Sequence, residues 1–345
     1  MGSYRSGRAL VSVAAVLVLA LCFGAAAAEA AYPGRDGPVS FFAQGEGGRS
    51  GIFNIAPRTG RISHQPGTTG LDGAPLWSPD GRLLSFSRLT ALPPSPDGDI
   101  RAETEVWVMG AGGGGVRRVS DVVADAPCTT TPSDTPSGWS PDGTAVFFVS
   151  TRWDGTGDAR PARGQQDCPN GTLWSTSLTG GGEQVEIGGE QPGCTNIVAA
   201  RWSPDASRIA FSSAQDDCNH LRLSISAADG TARRRLATGA GETWGVDWSP
   251  DGRRLVYENR QGRFTSLYVI AADGTGRHRI AAAPAAAPAW SPDGRWIAYV
   301  GYSRNRGEII CAVSPDGRRR RTLAAIEAGS RSLMNAHALS WRPMR

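Results

Sequence analysis

From residue 72 onward, hydrophobic and polar positions follow one recurring scheme. A Trp closes a short apolar stretch, a polar turn follows, and the next segment alternates with a period of two residues. Trp77, Trp139, Trp202, Trp248 and Trp290 each precede Ser-Pro-Asp, and in four copies a Gly comes next; the copy at Trp202 has Ala206 there. Seven positions after each Trp stands an aliphatic residue: Leu84, Val146, Ile209, Leu255, Ile297. Nine positions after it stands an aromatic one: Phe86, Phe148, Phe211, Tyr257, Tyr299. Period-two alternation predicts strands with two distinct faces. Pro fixes φ, Asp can bond the backbone beyond it, and Gly takes positive φ, so Pro-Asp-Gly predicts a tight turn between two strands.

The unit at Trp290 shows the whole pattern. After its turn come predicted strands over Trp296 to Val300, Ile309 to Val313 and Arg319 to Leu323, the last two joined by Pro315-Asp316-Gly317. The preceding unit repeats this hairpin, with Leu267 to Ile270, then Asp273-Gly274, then Arg277 to Ile280. Each unit is therefore four antiparallel strands. The Trp-to-Trp spacings are 62, 63, 46 and 42 residues. The shorter ones suit a propeller blade, and the longer ones require insertions. Leu339-Ser340-Trp341 reads as the inner strand of one more unit, while Val39 to Phe42, Gly51 to Ile55 and Arg61 to His64 read as the other three strands of the same unit. Joined, they form a composite blade. The expected fold is an all-β, six-bladed β-propeller with four antiparallel strands per blade, closed by a composite N- and C-terminal blade that removes exposed sheet edges.

These tandem Trp-Ser-Pro-Asp-Gly copies, each followed by an alternating strand and an Asp-Gly hairpin, resemble the TolB-like six-bladed propeller family of WD40-like Pro-Asp repeat proteins. The resemblance covers nearly all of the chain after its leader. TolB carries an α/β domain before its propeller. Here the first strand begins almost directly after the leader, so that domain is expected to be absent. A TolB-type lipoprotein partner therefore does not transfer, and an outer membrane is not evident from sequence. The same repeat occurs in the prolyl oligopeptidase family, but no Gly-x-Ser-x-Gly nucleophile elbow is present.

The N-terminus changes the picture of where the propeller works. Arg5 and Arg8 precede an apolar run from Ala9 to Ala28, and Ala28-Glu29-Ala30 offers small residues for cleavage. Residues 1–31 are expected to be a secretory signal peptide and residues 32–345 the propeller, in a periplasmic or extracellular setting. If the leader stays uncleaved, it is the sole membrane attachment expected. Formal charge is +4 over 345 residues, too mild by itself to demand a polyanionic partner, and every basic residue is Arg. A monomer that binds no nucleic acid and needs no cofactor is expected.

Exported cysteines are disulfide candidates. Cys128 and Cys194 precede a blade's Trp, in the connection entering that blade, and Cys168 and Cys218 lie between the second and third strands of the same blades. In a propeller both loop types emerge on one face, so the expected pairs are Cys128–Cys168 and Cys194–Cys218. Cys311 aligns with Tyr268 within a third strand and is expected to be a buried free thiol.

Several residues invite a functional reading that a structural one outweighs. Asp80, Asp142, Asp205, Asp251 and Asp293 could form a carboxylate ring, but Asp between Pro and Gly caps its own turn. The repeated Trp residues belong to the core between blades rather than to a stacking platform. Arg117-Arg118, Arg233 to Arg235, Arg277 with Arg279, and Arg318 to Arg321 lie in outer strands, where positive charge discourages edge pairing. Pro96-Asp97-Gly98-Asp99 with Glu103 resembles a calcium loop without its full alternating ligand set, and no two of the four His are spaced as a zinc pair, so no metal site is assigned.

Three insertions carry the functional expectation: Leu89 to Thr104, Asp121 to Gly138, and Trp153 to Gly171. All are expected on the face that carries the four paired cysteines. Long loops on a rigid scaffold are where binding surfaces usually reside. The expected activity is a protein-binding or cell-envelope scaffold function, not catalysis. The candidate contacts are Asp97, Asp99, Arg152, Trp153, Asp154, Arg160 and Arg163. The alternative is a calcium-dependent propeller hydrolase or lyase at the channel mouth. Its candidate ligands, just before the inner strands end at Trp, are Asp72, Asp134, Asn196, Glu242, Asn335 and His337.

Overall fold

A computed structural model describes residues 32–44, 50–92, 101–120, 133–151, 171–180, 182–187, 196–214, 220–236, 238–305, 307–325 and 338–345. Blade one contains β4 (Asp72–Trp77), β5 (Leu83–Leu92), β6 (Arg101–Gly110) and β7 (Arg117–Arg118). Blade two contains β8 (Asp134–Trp139), β9 (Ala145–Ser150), β10 (Thr172–Ser177) and β11 (Glu183–Ile187). Blade three contains β12 (Asn196–Trp202), β13 (Arg208–Ala214), β14 (Arg222–Ala227) and β15 (Arg234–Arg235). Blade four contains β16 (Glu242–Trp248), β17 (Arg254–Gln261), β18 (Phe264–Ala271) and β19 (His278–Ala281). Blade five contains β20 (Ala285–Trp290), β21 (Ile297–Ser303), β22 (Gly307–Val313) and β23 (Arg320–Ala325). Blade six is composite, with the order β24 (Leu339–Met344), β1 (Arg35–Gln44), β2 (Ser50–Ile55) and β3 (Ile62–His64). The six sheets are four-stranded and antiparallel, so the six-bladed propeller and its composite closure are present as expected.

The core lies between blades. Six apolar clusters each join two neighbouring blades. Alternation along the second strand of a blade divides its residues between two of them. In β17, Leu255 and Tyr257 face blade three, whereas Val256 faces blade five. In β21, Ile297 and Tyr299 face blade four, while Ala298 faces blade six. The repeated aliphatic and aromatic positions therefore pack with the Trp against the preceding blade, and the smaller residue between them fills the next seam. Trp77, Trp139, Trp248 and Trp290 are each at most 1% exposed, which places them in the core and not on a platform. The indole N–H of Trp139 donates to Leu76 O at 3.2 Å and that of Trp248 to Arg201 O at 3.0 Å; both acceptors belong to the residue before the previous blade's Trp.

Each Ser-Pro-Asp turn is closed by its own side chains. In blade one, Ser78 Oγ donates to Asp80 Oδ1 at 2.7 Å, and Asp80 Oδ1 also accepts from Arg82 N at 3.0 Å. Blades two, three, four and five repeat the Ser-to-Asp bond. The turn aspartates are caps, as their position between Pro and Gly implies. Donation from Ser140 and Ser203 holds the Asp142 and Asp205 carboxyls below the usual carboxylate range.

Candidate functional site

Strand direction divides the propeller into two faces. The Pro-Asp-Gly and third-to-fourth-strand turns emerge on one side, the hairpin face. The second-to-third-strand loops and the connections between blades emerge on the other, the long-loop face. Asp97 and Asp99, Arg152, Trp153, Asp154, Arg160 and Arg163, Asn335 and His337, and Cys128, Cys168, Cys194 and Cys218 all lie outside the described residues. Cys311 lies in β22, buried and with a free thiol.

The first insertion is not a loop from its beginning. β5 and β6 stay paired through Leu89↔Thr104, Thr90↔Glu103 and Leu92↔Arg101, so both ends of Leu89 to Thr104 lengthen the hairpin. Its base is held by a polar network. Arg88 makes a bidentate pair with Asp72, at 2.6 and 2.8 Å, and lies over the Trp107 ring at 4.6 Å. Glu105 accepts from Thr90 Oγ1 at 2.9 Å, Trp107 Nε1 at 3.0 Å and Arg118 at 2.9 Å. Buried carboxylates with this many donors are satisfied structural groups. Glu103 belongs to β6 and is buried. The second insertion is likewise shorter than the spacing suggests, because Asp134 already opens the inner strand β8.

Among the channel-mouth candidates, Asp72 is fully buried and engaged by Arg88 and by Thr69 N at 2.7 Å. Glu242 accepts from Trp244 Nε1 at 3.2 Å. Asp134 is buried at the start of β8, and Asn196 opens β12. Among the described residues no three His, Cys, Asp or Glu side chains converge as a metal site.

One carboxyl group carries no signal in the repeat. Glu258 of β17 is turned into the seam between blades four and five, where its Oε1 accepts from Ala287 N at 2.7 Å. Burial raises it from 4.5 to about 7, partly offset by that amide. Ala287 has φ 52° and sits in the irregular stretch of β20. Its displaced N–H donates to the half-buried carboxyl group.

The two faces differ in finish. Of five large hydrophobic residues exposed among the described residues, Leu71 (45%), Phe264 (57%) and Tyr302 (59%) belong to the long-loop face. Arg263 lies over Phe264 at 5.1 Å and Arg260 over Trp244 at 5.5 Å on that same side. On the hairpin face a short segment crosses the channel mouth. Tyr32 is 4% exposed, joins the core between blades one and two, and donates to Trp139 O. Two residues later, Gly34 N donates to Pro292 O of blade five at 3.2 Å. Blades two and five stand opposite each other in a six-bladed ring. This strap, the turn residues Pro79, Pro141 and Pro204, and Pro343 of β24 line one hollow at this mouth.

The family described as "TolB beta propeller domain" matches residues 181–326. The Tol-Pal system protein TolB of Anaeromyxobacter dehalogenans (strain 2CP-C) is 32% identical over 123 residues, covering 34% of this chain and 26% of that protein. The match thus spans about a quarter of the length of that curated relative. The crystal structure of TolB from Acinetobacter baumannii superposes with a TM-score of 0.62 at 16% identity, covering 89% of this chain and 67% of that one. The putative TolB of Agrobacterium tumefaciens gives a TM-score of 0.58 at 18% identity, covering 89% of this chain and 98% of that one. At such identities the likeness to the solved structures speaks for the fold.

Proposed function

This chain is similar to the TolB-like propeller family, and from that likeness we propose that it is an exported binding module whose long-loop face contacts a protein partner at the cell envelope. The observation that carries the reading is the unequal exposure of large apolar groups. Leu71, Phe264 and Tyr302 stand out on the long-loop face. Aromatic residues with adjoining arginines are enriched at protein interfaces. The curated relatives are named as Tol-Pal system proteins, and a protein partner for this chain is carried over from them as part of the proposal. The insertion residues Trp153 to Arg163, with Arg152, Asp97 and Asp99, are proposed to extend the contact on blades one and two.

The test is a pull-down from the native envelope, using the exported protein, a Phe264→Ser/Tyr302→Ser variant and a variant with Trp153 to Arg163 replaced by a short Gly-Ser loop. Both variants are expected to lose the same partner while keeping the parent melting temperature. A partner retained by both variants would move the contact off this face.

A further inference from the structure

The mild net charge of the chain conceals a polarised rim. The outer strands and adjoining turns of blades four, five and six, residues 271–281, 314–325 and 56–64, hold eight arginines and two aspartates, a formal +6 in a chain whose total is +4. These segments are far apart in sequence but contiguous in the ring. His278 Nε2 lies 2.9 Å from Pro315 O, and Arg320 Nη2 donates to Ile280 O at 3.0 Å, which joins blade four to blade five. The turn of blade six closes against β23 so tightly that a Cβ on Gly60 would lie 2.8 Å from Leu323 O.

Within this sector the charges are presented rather than neutralised. Among the described residues none of the eight arginines forms an ion pair. Arg319 and Arg321 lay their guanidinium groups over Trp296, at 5.2 and 4.4 Å. Arg58, Arg61, Arg279 and Arg318 are exposed. The two aspartates are held by their own turns: Asp273 Oδ1 accepts from Thr275 N at 2.8 Å, and Asp316 Oδ1 from Arg318 N at 3.1 Å. Discouragement of edge pairing accounts for arginines within β19 and β23. It does not account for Arg58 and Arg318, which sit in turns.

We infer that this sector is a docking surface for an anionic membrane leaflet. Three features favour a lipid surface over a soluble polymer. The outer strands form the convex circumference of the propeller, a shape that meets a plane and does not enclose a strand. Ile62, beside Arg61, is 40% exposed on this rim, and an aliphatic group next to basic ones suits the headgroup boundary. The charge is spread over three blades, as a surface potential requires, and each arginine near an anionic leaflet adds a comparable increment of attraction. Docking through the rim would leave the long-loop face free, so this inference stands apart from the protein partner proposed above.

The experiment is vesicle sedimentation with the exported protein. Vesicles containing about a third phosphatidylglycerol are compared with pure phosphatidylcholine at about 50 mM and about 500 mM salt, where screening shortens the range of the attraction. The expected result is binding to the anionic vesicles at low salt, release at high salt, and none to phosphatidylcholine. The Arg58→Gln/Arg61→Gln/Arg279→Gln/Arg318→Gln variant spares the arginines that hold Trp296 and Ile280. It is expected to bind at least a hundredfold more weakly, at roughly fivefold per arginine, with an unchanged melting temperature. Arg263→Gln/Arg304→Gln, on the opposite face, is expected to bind as the parent does. Equal binding to both lipids, an unaffected quadruple variant, or tighter binding of soluble polyphosphate than of anionic vesicles would each overturn the inference.

Discussion

The Tyr32 hydroxyl donates to the Trp139 carbonyl oxygen, so the first described residue of the chain is tied to the inner strand of the second blade. With Gly34 N bonded to Pro292 O of blade five, the segment bridges opposite sides of the ring before β1 joins β24 in the composite blade. The strap therefore reinforces the ring at the mouth where β24 completes it. Tyr32→Phe, which keeps the buried ring and loses one hydrogen bond, is expected to cost about 1 kcal/mol. Tyr32→Ala is expected to cost about 3–5 kcal/mol, as for truncation of a buried aromatic. Urea unfolding of both variants checks this, and two curves indistinguishable from the parent would mean that the strap contributes nothing.

The glycines of the Pro-Asp-Gly turns are not equivalent. Gly81 has φ 67°, and a Cβ there would lie 2.1 Å from Pro343 O of the composite blade. Gly143 has φ 73°, but its Cβ would meet Pro79 Cδ at an ordinary 3.7 Å. Ala206 occupies the corresponding place in blade three at φ 58°, so a methyl group is tolerated where space allows. Gly143→Ala is expected to cost about 1 kcal/mol of backbone strain, and Ala206→Gly to recover a similar amount. Gly81→Ala adds a clash with backbone and should cost several-fold more than Gly143→Ala in thermal melts. Equal losses at the two sites would contradict the close approach of blades six and one.

Stability should have a maximum in mildly acidic solution. Burial raises Glu258 to about 7, and burial raises Asp36 to about 6 against the hydrogen bond from Asp293 N. An acid whose pKa is raised on folding stabilises the fold when protonated, and that contribution is lost as pH climbs from the unfolded value through the folded one. Hydroxyl donors do the opposite to Asp142, Asp205, Asp229, Asp273 and Asp316, whose contribution is present above the unfolded value of 3.8 and lost as pH falls. The melting temperature is expected to peak between about pH 4 and 6. Glu258→Gln should flatten the fall between about pH 4.5 and 7 and leave the acid limb intact. A variant with the parent's neutral limb would show that Glu258 is already ionised in the fold.

Thiol chemistry distinguishes the cysteines. Burial raises the Cys311 thiol above its ordinary range, and the residue is 4% exposed, so it should resist alkylation until the protein unfolds. Non-reducing peptide mapping is expected to link Cys128 to Cys168 and Cys194 to Cys218. A native protein labelled at Cys311, or a Cys168–Cys194 link, would refute this assignment.

Much of the fold was legible because the repeat ties each residue type to one local duty. Trp, the aliphatic seven positions on and the aromatic nine positions on recur because every seam between blades needs the same volume filled. The composite blade was legible for the same reason: Leu339 to Trp341 matches an inner strand and Val39 to His64 matches the other three strands of one unit. The candidate site was much less legible. The lengthened hairpin beyond Leu89 has no repeat counterpart to mark where pairing stops. Tyr32 and Glu258 each occur at one place only, so no periodic signal singles them out.

The sequence by itself determined the architecture, the turn caps and the inter-blade core, since alternation and Pro-Asp-Gly chemistry act over a few residues and the recurring Trp repeats them along the chain. Tertiary structure alone decided which equivalents differ. Gly81 differs from Gly143 because Pro343, 262 positions further along, is brought against it by ring closure. Arg58, Arg279 and Arg318 form one basic sector because blades four, five and six are neighbours, although a sequence of net charge +4 shows them only as scattered runs. Strap, clash and charged rim all arise from contacts between distant segments, which a local pattern cannot encode.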